Sequence, residues 1–233
     1  MYLSVIIPAY NEERRLPAYL DTVLAYLQSA PFQHEVIVVN DGSTDDTSGI
    51  VRLFQSTYEQ LRLIELLPNR GKGYAVKTGM LAGRGVYRLF TDADGATPIE
   101  ELERLYRAVL GGADVAIGSR ARKSEECIVK GSLHRKILGE CFNFAVRSLC
   151  FNGIRDTQCG FKLFTEKVVN RVFPNLTLDR FGFDVEILYL SRRAGFSIAE
   201  VPVNWHDVKH GKVNIVADSF RMLGDVVKVR LRH

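Results

Sequence analysis

Near-continuous apolar runs recur at intervals through the first half of the chain. Runs that are apolar at successive positions are typical of strands buried on both faces of a sheet. We therefore predict five strands here, and we expect Pro8 to stop the first. The runs are LSVIIPAY (3–10), EVIVVND (35–41), LRLIELL (61–67), VYRLFT (86–91) and DVAIGSR (114–120).

The intervals between these runs carry helix signals. Apolar residues follow helical spacing over 16–27, and Ser43 and Asp46 are spaced as a capping box for a second helix. A third helix is predicted to run from the NRGKG segment to about Leu81. This alternation of strand and helix predicts an α/β fold with a mostly parallel central sheet flanked by helices on both faces.

Beyond Arg120 the pattern becomes less regular. No linker composition interrupts it, so we predict a single domain in which 1–120 forms the sheet half, 121–213 a second half and 214–233 a C-terminal amphipathic helix. The further elements predicted are an amphipathic helix over 132–151, a helix near 183–194, a short strand in SIAEVPV (197–203) and the final helix from about Asn214.

Composition and charge narrow the class of protein. The 233 residues are 46% apolar and 25% charged with a net charge of +4, which indicates a globular chain and gives no reason to expect a nucleic-acid partner. The four cysteines match no common zinc spacing, and no secretory signal precedes them. We expect reduced thiols in a cytoplasmic protein. No run approaches the roughly 18 apolar residues that span a bilayer, so we expect it to be soluble or to lie on a membrane surface.

Each of the five predicted strands ends in polar residues or glycine. In an open parallel sheet the carboxyl ends of the strands meet at one edge, where ligands bind. The five endings together predict a site for a large polar ligand at that edge. They are Pro8-Ala9-Tyr10-Asn11-Glu12, Asn40-Asp41-Gly42-Ser43, Asn69-Arg70-Gly71-Lys72-Gly73, Asp92-Ala93-Asp94 and Gly118-Ser119-Arg120.

Asp92 and Asp94 form the most informative of these endings. Two neighbouring carboxylates repel each other, and such oxygens are suited to Mg²⁺ or Mn²⁺, whose coordination is commonly completed by substrate phosphates. Neither a GxGxxG fingerprint after the first strand nor a Walker A loop is present. The alternative is that the pair caps the next helix, but Thr97-Pro98-Ile99-Glu100 already supplies an N-cap, a first-turn proline and a capping glutamate.

Six motifs in this order resemble the inverting family-2 glycosyltransferases of the GT-A fold, most closely the branch that transfers a sugar to a polyprenyl phosphate, such as the dolichyl-phosphate glucosyltransferases. The resemblance extends from about Ser4 to Trp205. It implies that 1–120 binds a nucleotide sugar and 121–213 the acceptor. The motifs are PAYNEE, VVNDGSTDDT, NRGKGYAVKTGM, TDADGA, GSR and DTQCGFKLF.

The resemblance also implies roles for individual residues. Asp94 would hold the metal, with Asp92 beside it on the ribose or a metal-bound water and Ala93 lining the substrate site. Arg120 would face the diphosphate or the acceptor phosphate. Asp41 would bind the base, and Lys72 would lie near the base or the phosphates. The base and ribose would be bordered by Pro8, Tyr10 and Glu12.

Structural alternatives to these roles stay open on the sequence. Tyr10 could pack at the sheet edge, and Asp41 could tie down its loop. Glu12 could be an ordinary acid of a helix first turn. Lys72 and Arg120 could be surface charges.

We expect transfer of glucose from UDP-glucose to a dolichyl or polyprenyl phosphate, with inversion. An ionised phosphate acceptor needs almost no general base, although Asp156 could serve as one and Asp184 or Glu186 would compete for that role. Asp156 and Gln158 would shape the acceptor side. Cations that could gather the acceptor phosphate are Arg120, Arg122, Lys123, Lys130, Arg135, Lys136 and Lys212.

The stretches 132–151 and 214–233 have one apolar side and basic residues elsewhere. Such helices can lie in the interface of a membrane, here its cytoplasmic face, or can pack on the domain core. Lys212-Val213 departs from the Ser-Lys pair usual in the family, which leaves the roles of His206, His210 and Lys212 undetermined. The competing functions are transfer from GDP-mannose or another sugar nucleotide, a soluble saccharide acceptor, and a nucleotide-binding domain without catalysis.

Overall fold

The computed structural model describes residues 1–122, 126–130, 153–208, 224–225, 228–230 and 232. Seven strands form one sheet in the order β3-β2-β1-β4-β7-β5-β8, and two short strands, β6 and β9, pair separately. The strands are β1 Leu3–Ala9, β2 His34–Asp41, β3 Leu61–Leu66, β4 Tyr87–Thr91, β5 Val115–Ser119, β6 Val129–Lys130, β7 Phe161–Thr165, β8 Ile198–Pro202 and β9 Trp205–His206.

Helices cover both faces of this sheet. Successive residues of β1 face opposite helix layers: Ile6 packs with a cluster that includes Ala75 and Phe183, whereas Val5 and Ile7 pack with a cluster that includes Leu20 and Leu105. All three side chains are fully buried, as the apolar runs predicted. The helices are α1 Leu16–Gln28, α2 Thr47–Gln55, α3 Lys72–Ala82, α4 Leu102–Leu110, α5 Glu166–Val172 and α6 Phe183–Arg193, with short 3₁₀ turns at Ile99–Glu101 and Phe173–Asn175.

The predicted α/β class and the mostly parallel sheet are confirmed. β1 pairs in parallel with β2 and β4, β2 with β3, and β5 with β8. The exception is β7, which lies antiparallel between β4 and β5. The sequence prediction assigned no strand to the β7 segment, and the tertiary pairing supplies it.

Pro8 does not stop the first strand, so that prediction is wrong. The strand continues to Ala9, and its register with β4 ends at Ile6, opposite Phe90. Pro8 therefore lies where β1 pairs with β2 and no longer with β4, a setting that tolerates a residue without a backbone N–H.

Both predicted N-caps are also wrong. Helix α2 follows Asp46 without a side-chain cap, and Asp45 instead accepts a hydrogen bond from the Thr47 backbone N–H at 3.1 Å. The helix predicted from Thr97 begins as the 3₁₀ turn after Pro98, again without a side-chain cap. Pro98 is extended (ψ 145°), which moves Thr97 out of the capping position.

Several predictions lie wholly or largely outside the described residues. These are the helix over 132–151, the helix from about Asn214, and the side chains of Lys123, Lys130, Arg135, Lys136, His210 and Lys212. The proposed boundaries within the domain stay predictions. In the part of the chain that is described, no helix has the length and apolar character needed to cross a bilayer.

Candidate active site

The carboxyl edge of the sheet gathers the predicted side chains. Asp92 and Asp94 follow β4, Lys72 opens α3 after β3, and Arg120 follows β5. Because β7 is antiparallel, the segment that precedes it reaches this edge too. The Asp92 backbone N–H donates to the carbonyl of Gly160 at 3.0 Å. This bond joins the loop 92–96, here called the acidic loop, to the DTQCG segment.

Asp92 is paired with Lys72. Lys72 Nζ lies 2.6 Å from Asp92 Oδ1, and both side chains are half-buried. Burial opposes the charge of Lys72, but the attraction of Asp92 and Asp184 outweighs it and raises the Lys72 pKa. The alternative that Lys72 is a surface charge is therefore wrong. Its ammonium group stays protonated beside the acidic loop.

Asp94 has a different environment. Burial, followed by repulsion from Asp92, raises the pKa of its carboxyl, while the Ala96 N–H, Lys72 and Arg15 act in the opposite direction. Its Oδ1 accepts from the Ala96 N–H at 3.1 Å, so Asp94 closes its own turn and does not cap a helix. A carboxylate whose charge is opposed in this way is stabilised by a cation.

The acidic loop fits a divalent cation that is shared with a substrate. In the described ranges no group of three or more His, Cys, Asp or Glu side chains could hold a metal by itself. Mg²⁺ and Mn²⁺ sites with one or two carboxylates are completed by phosphate oxygens and water. Asp94, with Asp92 adjacent, would hold such an ion, and no described residue completes the shell.

Tyr19 packs against the acidic loop and bonds to the end of β4, a role that the sequence analysis missed. Its hydroxyl lies 2.6 Å from Thr91 Oγ1. Its ring packs under Gly95, where a Cβ would lie 2.8 Å from the ring and where the backbone is left-handed (φ +66°). The signal available was a tyrosine within the apolar stripe of α1, together with a glycine after the aspartates.

Asp41 ties down the loop that leads to α3. Its carboxylate accepts from the backbone N–H groups of Arg70 and Gly71 at 2.8 and 2.7 Å and from Asn69 Nδ2 at 3.0 Å. Asp41 thus ties down its loop, which is the structural alternative that the sequence left open. This loop places Lys72 against Asp92. The base contact of Asp41 stays a prediction.

Arg120 and the buried Asp156 form an ion pair. Arg120 donates from Nε and Nη2 to the two carboxylate oxygens at 2.7 and 2.9 Å, and its backbone N–H adds a third bond at 3.0 Å. Gln158 N–H adds a fourth at 3.1 Å. Burial acts against ionisation, but Arg120 outweighs it and lowers the Asp156 pKa. A carboxylate with four donors and a lowered pKa is a poor proton acceptor, which argues against Asp156 as a general base. That role stays a prediction which these contacts disfavour.

The competing carboxylates are also engaged. Glu186 accepts from the Thr177 and Leu178 backbone N–H groups at about the usual hydrogen-bond distance, which ties down the loop before α6. Asp184 pairs with the fully buried Lys162, whose Nζ also donates to the Cys159 carbonyl at 2.7 Å. Glu186 therefore has a structural role, and Asp184 is the partner of a buried cation.

Glu200, in β8, joins two loops at this edge of the sheet, a role that the sequence analysis missed. Its buried carboxylate accepts from Ser119 Oγ at 2.7 Å and from the Asp156 N–H at 2.8 Å, and it lies 3.2 Å from Arg122 Nε. The loop after β5 and the loop before β7 are thus fastened to one side chain. The available signal was an acidic residue in the middle of the predicted strand SIAEVPV, which is otherwise mostly apolar.

The other predicted residues surround this edge. Pro8 and Ala93 are buried, whereas Tyr10 is 41% exposed. Glu12 precedes α1 and binds Arg15 (Nε to Oε2, 2.7 Å), so it is not an acid of the helix first turn. Gln158 Nε2 is buried without a hydrogen-bond partner in the described structure.

Three further contacts and side chains complete the description of this edge. Cys127 and the buried Cys159 are free thiols within the described residues. The exposed His206 donates its backbone N–H to the Ala96 carbonyl at 2.9 Å, next to the acidic loop. The Arg120 guanidinium lies 5.5 Å from the Trp205 ring centroid.

Solved structures with the same architecture show that the chain has the GT-A fold of glycosyltransferases. Glucosyl-3-phosphoglycerate synthase from Mycobacterium tuberculosis, crystallised with Mn²⁺, UDP-glucose and phosphoglyceric acid, superposes with a TM-score of 0.73 at 18% identity, covering 98% of this chain and 79% of that one. Mannosyl-3-phosphoglycerate synthase from Rubrobacter xylanophilus gives 0.73 at 19% identity, covering 100% and 73%.

The sequence comparisons specify the family. The family described as glycosyl transferase family 2 matches residues 4–173, and the chain belongs to this family of enzymes. It is 41% identical to a dolichyl-phosphate beta-glucosyltransferase of Dictyostelium discoideum over 100% of this chain and 75% of that protein. Proteins of the same name from Homo sapiens and Saccharomyces cerevisiae are 41% and 38% identical, over 99% and 100% of this chain and 75% of each relative.

Proposed function

We propose that this enzyme transfers glucose from UDP-glucose to a dolichyl or other polyprenyl phosphate, with inversion and with a requirement for Mg²⁺ or Mn²⁺. The observation that carries the proposal is the acidic loop after β4, in which Asp94 is a partly exposed carboxylate with a raised pKa between the cations Lys72 and Arg15. The glucosyl donor and the lipid acceptor are inferred from the names of the relatives with about 40% identity.

On the donor side, the chain supplies charges for a departing diphosphate. A divalent ion at Asp94 and Asp92 would neutralise the charge that develops on the leaving group. Lys72, fixed at 2.6 Å from Asp92, adds a protonated ammonium group at the same edge. Preorganised charges of this kind stabilise a transition state without reorganising during the reaction.

On the acceptor side, the chain does not need to remove a proton. A lone pair of the ionised acceptor phosphate forms the bond to C1 of glucose as the bond from C1 to the diphosphate oxygen breaks, and the electron pair leaves with the nucleoside diphosphate. Because the acceptor oxygen attacks the face of C1 opposite the departing diphosphate, the configuration at C1 is inverted. The engagement of Asp156 by four donors supports this base-free reaction.

We place the acceptor phosphate near Arg120, and the lipid chain at a membrane surface on its cytoplasmic face. Arg120 lies at the end of β5 with its guanidinium side chain 30% exposed, and the exposed Arg122 follows it. The remaining basic candidates and the two amphipathic stretches fall largely outside the described residues. They stay part of this proposal through their sequence pattern.

The test incubates the purified protein with Mg²⁺ or Mn²⁺, a panel of sugar nucleotides and a short polyprenyl phosphate. We expect lipid-linked glucose only with UDP-glucose, and a β linkage by NMR. The matched acceptor control is the corresponding polyprenol, which has no ionised oxygen and should give no product. If lipid product forms from GDP-mannose, the donor is GDP-mannose and not UDP-glucose. Donor hydrolysis without lipid product would point to a soluble acceptor.

A further inference from the structure

Arg15 is a cation beside Asp94 to which no ligand contact has so far been assigned. It lies between β1 and α1, and Asp94 follows β4, the strand that pairs with β1 in parallel. Arg15 Nη1 lies 3.6 Å from Asp94 Oδ2. The adjacency of β1 and β4 thus brings this guanidinium to the acidic loop.

Glu12 fixes the orientation of this guanidinium. Arg15 donates from Nε to Glu12 Oε2 at 2.7 Å and from Nη2 to Glu12 Oε1. This two-point contact uses one edge of the planar group and leaves the other edge, with Nη1, directed at the acidic loop.

Nη1 has donor capacity that the described structure does not use. The atom is buried and has no hydrogen-bond partner among the described residues, because 3.6 Å to Asp94 is too long for a hydrogen bond. A buried unsatisfied donor is costly, and in a binding site it indicates a ligand group that is still to arrive.

We propose that Arg15 Nη1 donates to a phosphate oxygen of the nucleotide-sugar diphosphate. An anion that shares a cation with Asp94 must place oxygens beside the Asp94 carboxylate, which is where Nη1 is directed. The planar guanidinium, held on one edge by Glu12, then binds phosphate with the other. This inference rests on the proposed function and adds a residue to its donor site.

The test compares Arg15→Met with Arg14→Met, an adjacent arginine that is exposed. Isothermal titration measures binding of UDP and of uridine, each with Mn²⁺ and with EDTA. We expect Arg15→Met to weaken UDP binding about 10-fold or more in both conditions and to leave uridine binding unchanged, since a charge-assisted hydrogen bond to the phosphate is lost. Arg14→Met should match the wild type for both ligands.

Arg15→Lys tests the geometry and covers the case in which Arg15→Met does not fold. It keeps the charge but cannot grip Glu12 at two points, so an intermediate loss of UDP affinity is expected. UDP affinity that is unchanged in EDTA, with only Mn²⁺ affinity altered, would show that Arg15 is merely a counter-ion of Asp94 and would overturn the inference.

The outcomes separate this inference from the proposed function. A wild-type protein that binds UDP, with an Arg15→Met variant that binds it equally well, sinks the inference alone. If the wild type binds GDP in place of UDP, the same comparison with GDP and guanosine decides it. A wild type that binds no nucleoside diphosphate overturns both.

Discussion

Asp92 and Asp94 are separated by the single residue Ala93, yet their surroundings differ. Asp92 is in contact with Lys72 at 2.6 Å, whereas the nearest cation of Asp94 among the described ion pairs is Arg15 at 3.6 Å. The raised pKa of Asp94 follows from burial and from the charge of Asp92. Of the two carboxylates, Asp94 is the one that a metal ion would stabilise more.

We predict that Asp94→Ala abolishes metal-dependent turnover, with a loss of about 100-fold or more, and leaves the fold intact, because it removes the proposed metal ligand but no core contact. The measurement is lipid-linked glucose formation across a Mn²⁺ titration, alongside thermal unfolding. Asp21→Ala, at an exposed position in α1, is the matched control. Undiminished turnover in Asp94→Ala would refute the metal role.

Lys162 is a lysine with no exposed surface, and its ammonium group pairs with the buried Asp184. Lys167 pairs with Asp114 but is 64% exposed. The two lysines lie in or next to β7, so a Lys→Met change at each position compares a buried pair with an exposed one.

We expect Lys162→Met to lower the free energy of unfolding by about 3–5 kcal/mol, because the Asp184 carboxyl is left buried without its cation. Lys167→Met should cost at most about 1 kcal/mol, since exposed pairs contribute little. Urea unfolding at neutral pH provides both values. Equal losses in the two variants would contradict a special role for the buried pair.

At the scale of elements, β7 has the largest effect on the site. It enters the sheet antiparallel, so the segment before it lies beside the carboxyl ends of β4 and β5. Gly160 is in close contact with the Asp92 carboxylate, and a Cβ there would approach Asp92 Oδ2 to 2.0 Å. The glycine is therefore required by the neighbouring side chain.

We predict that Gly160→Ala displaces Asp92 from Lys72 and lowers turnover at least about 10-fold, with a stability cost of about 1–3 kcal/mol from overpacking. The control is Gly111→Ala, at the end of α4, where a Cβ would meet its nearest atom at 3.3 Å. Activity assays and urea unfolding on both variants test this. A Gly160→Ala enzyme with wild-type turnover would show that the Asp92–Lys72 contact is dispensable.

Across the whole molecule, the two ends of the sheet differ in their polar groups. The amino end has a fully bonded network in which buried Glu35 accepts from Ser4 Oγ, the Arg84 N–H and Arg62 Nη1 at 2.7, 2.6 and 2.7 Å. The carboxyl end keeps the unsatisfied Arg15 Nη1 and Gln158 Nε2. Polar groups at the amino edge therefore stabilise the fold, whereas those at the carboxyl edge have bonding capacity left for a ligand.

This network predicts how stability depends on pH. Burial opposes the charge of Glu35, but the hydrogen bonds of Arg84, Ser4 and Arg62 outweigh it and lower its pKa below the usual 4.5. The stabilisation is complete above about pH 4.5 and is lost as the pH falls through the lower folded-state pKa, because the unfolded chain then binds the proton more readily.

Glu35→Gln should therefore flatten the fall in the free energy of unfolding between about pH 5 and pH 3, measured by urea titration at each pH. Glu59→Gln, at an exposed position, should follow the wild-type curve. A Glu35→Gln curve that runs parallel to the wild type throughout would show that Glu35 does not contribute to the acid sensitivity.

The hydrophobic pattern by itself determined the fold class and the edge at which the site lies. Burial on both faces of a strand requires the successive apolar residues seen in β1 and β2, and parallel strands place their endings together. The motifs determined the family and directed attention to Asp92, Asp94 and Arg120. These are properties of short stretches, which a sequence displays directly.

Tertiary structure alone decided which charges meet. The contact of Arg15 with Asp94, the bonds from Arg120 to Asp156 and the buried partner of Asp184 depend on strand order and on the antiparallel β7, which bring residues distant in sequence close together. The two predicted N-caps were wrong because a spacing rule assumes where the helix begins. In the structure Asp45 binds the Thr47 N–H, and the extended Pro98 separates Thr97 from the 3₁₀ turn. Pairing between distant segments is a property of the packed chain, because only packing fixes the distances on which charge interactions depend.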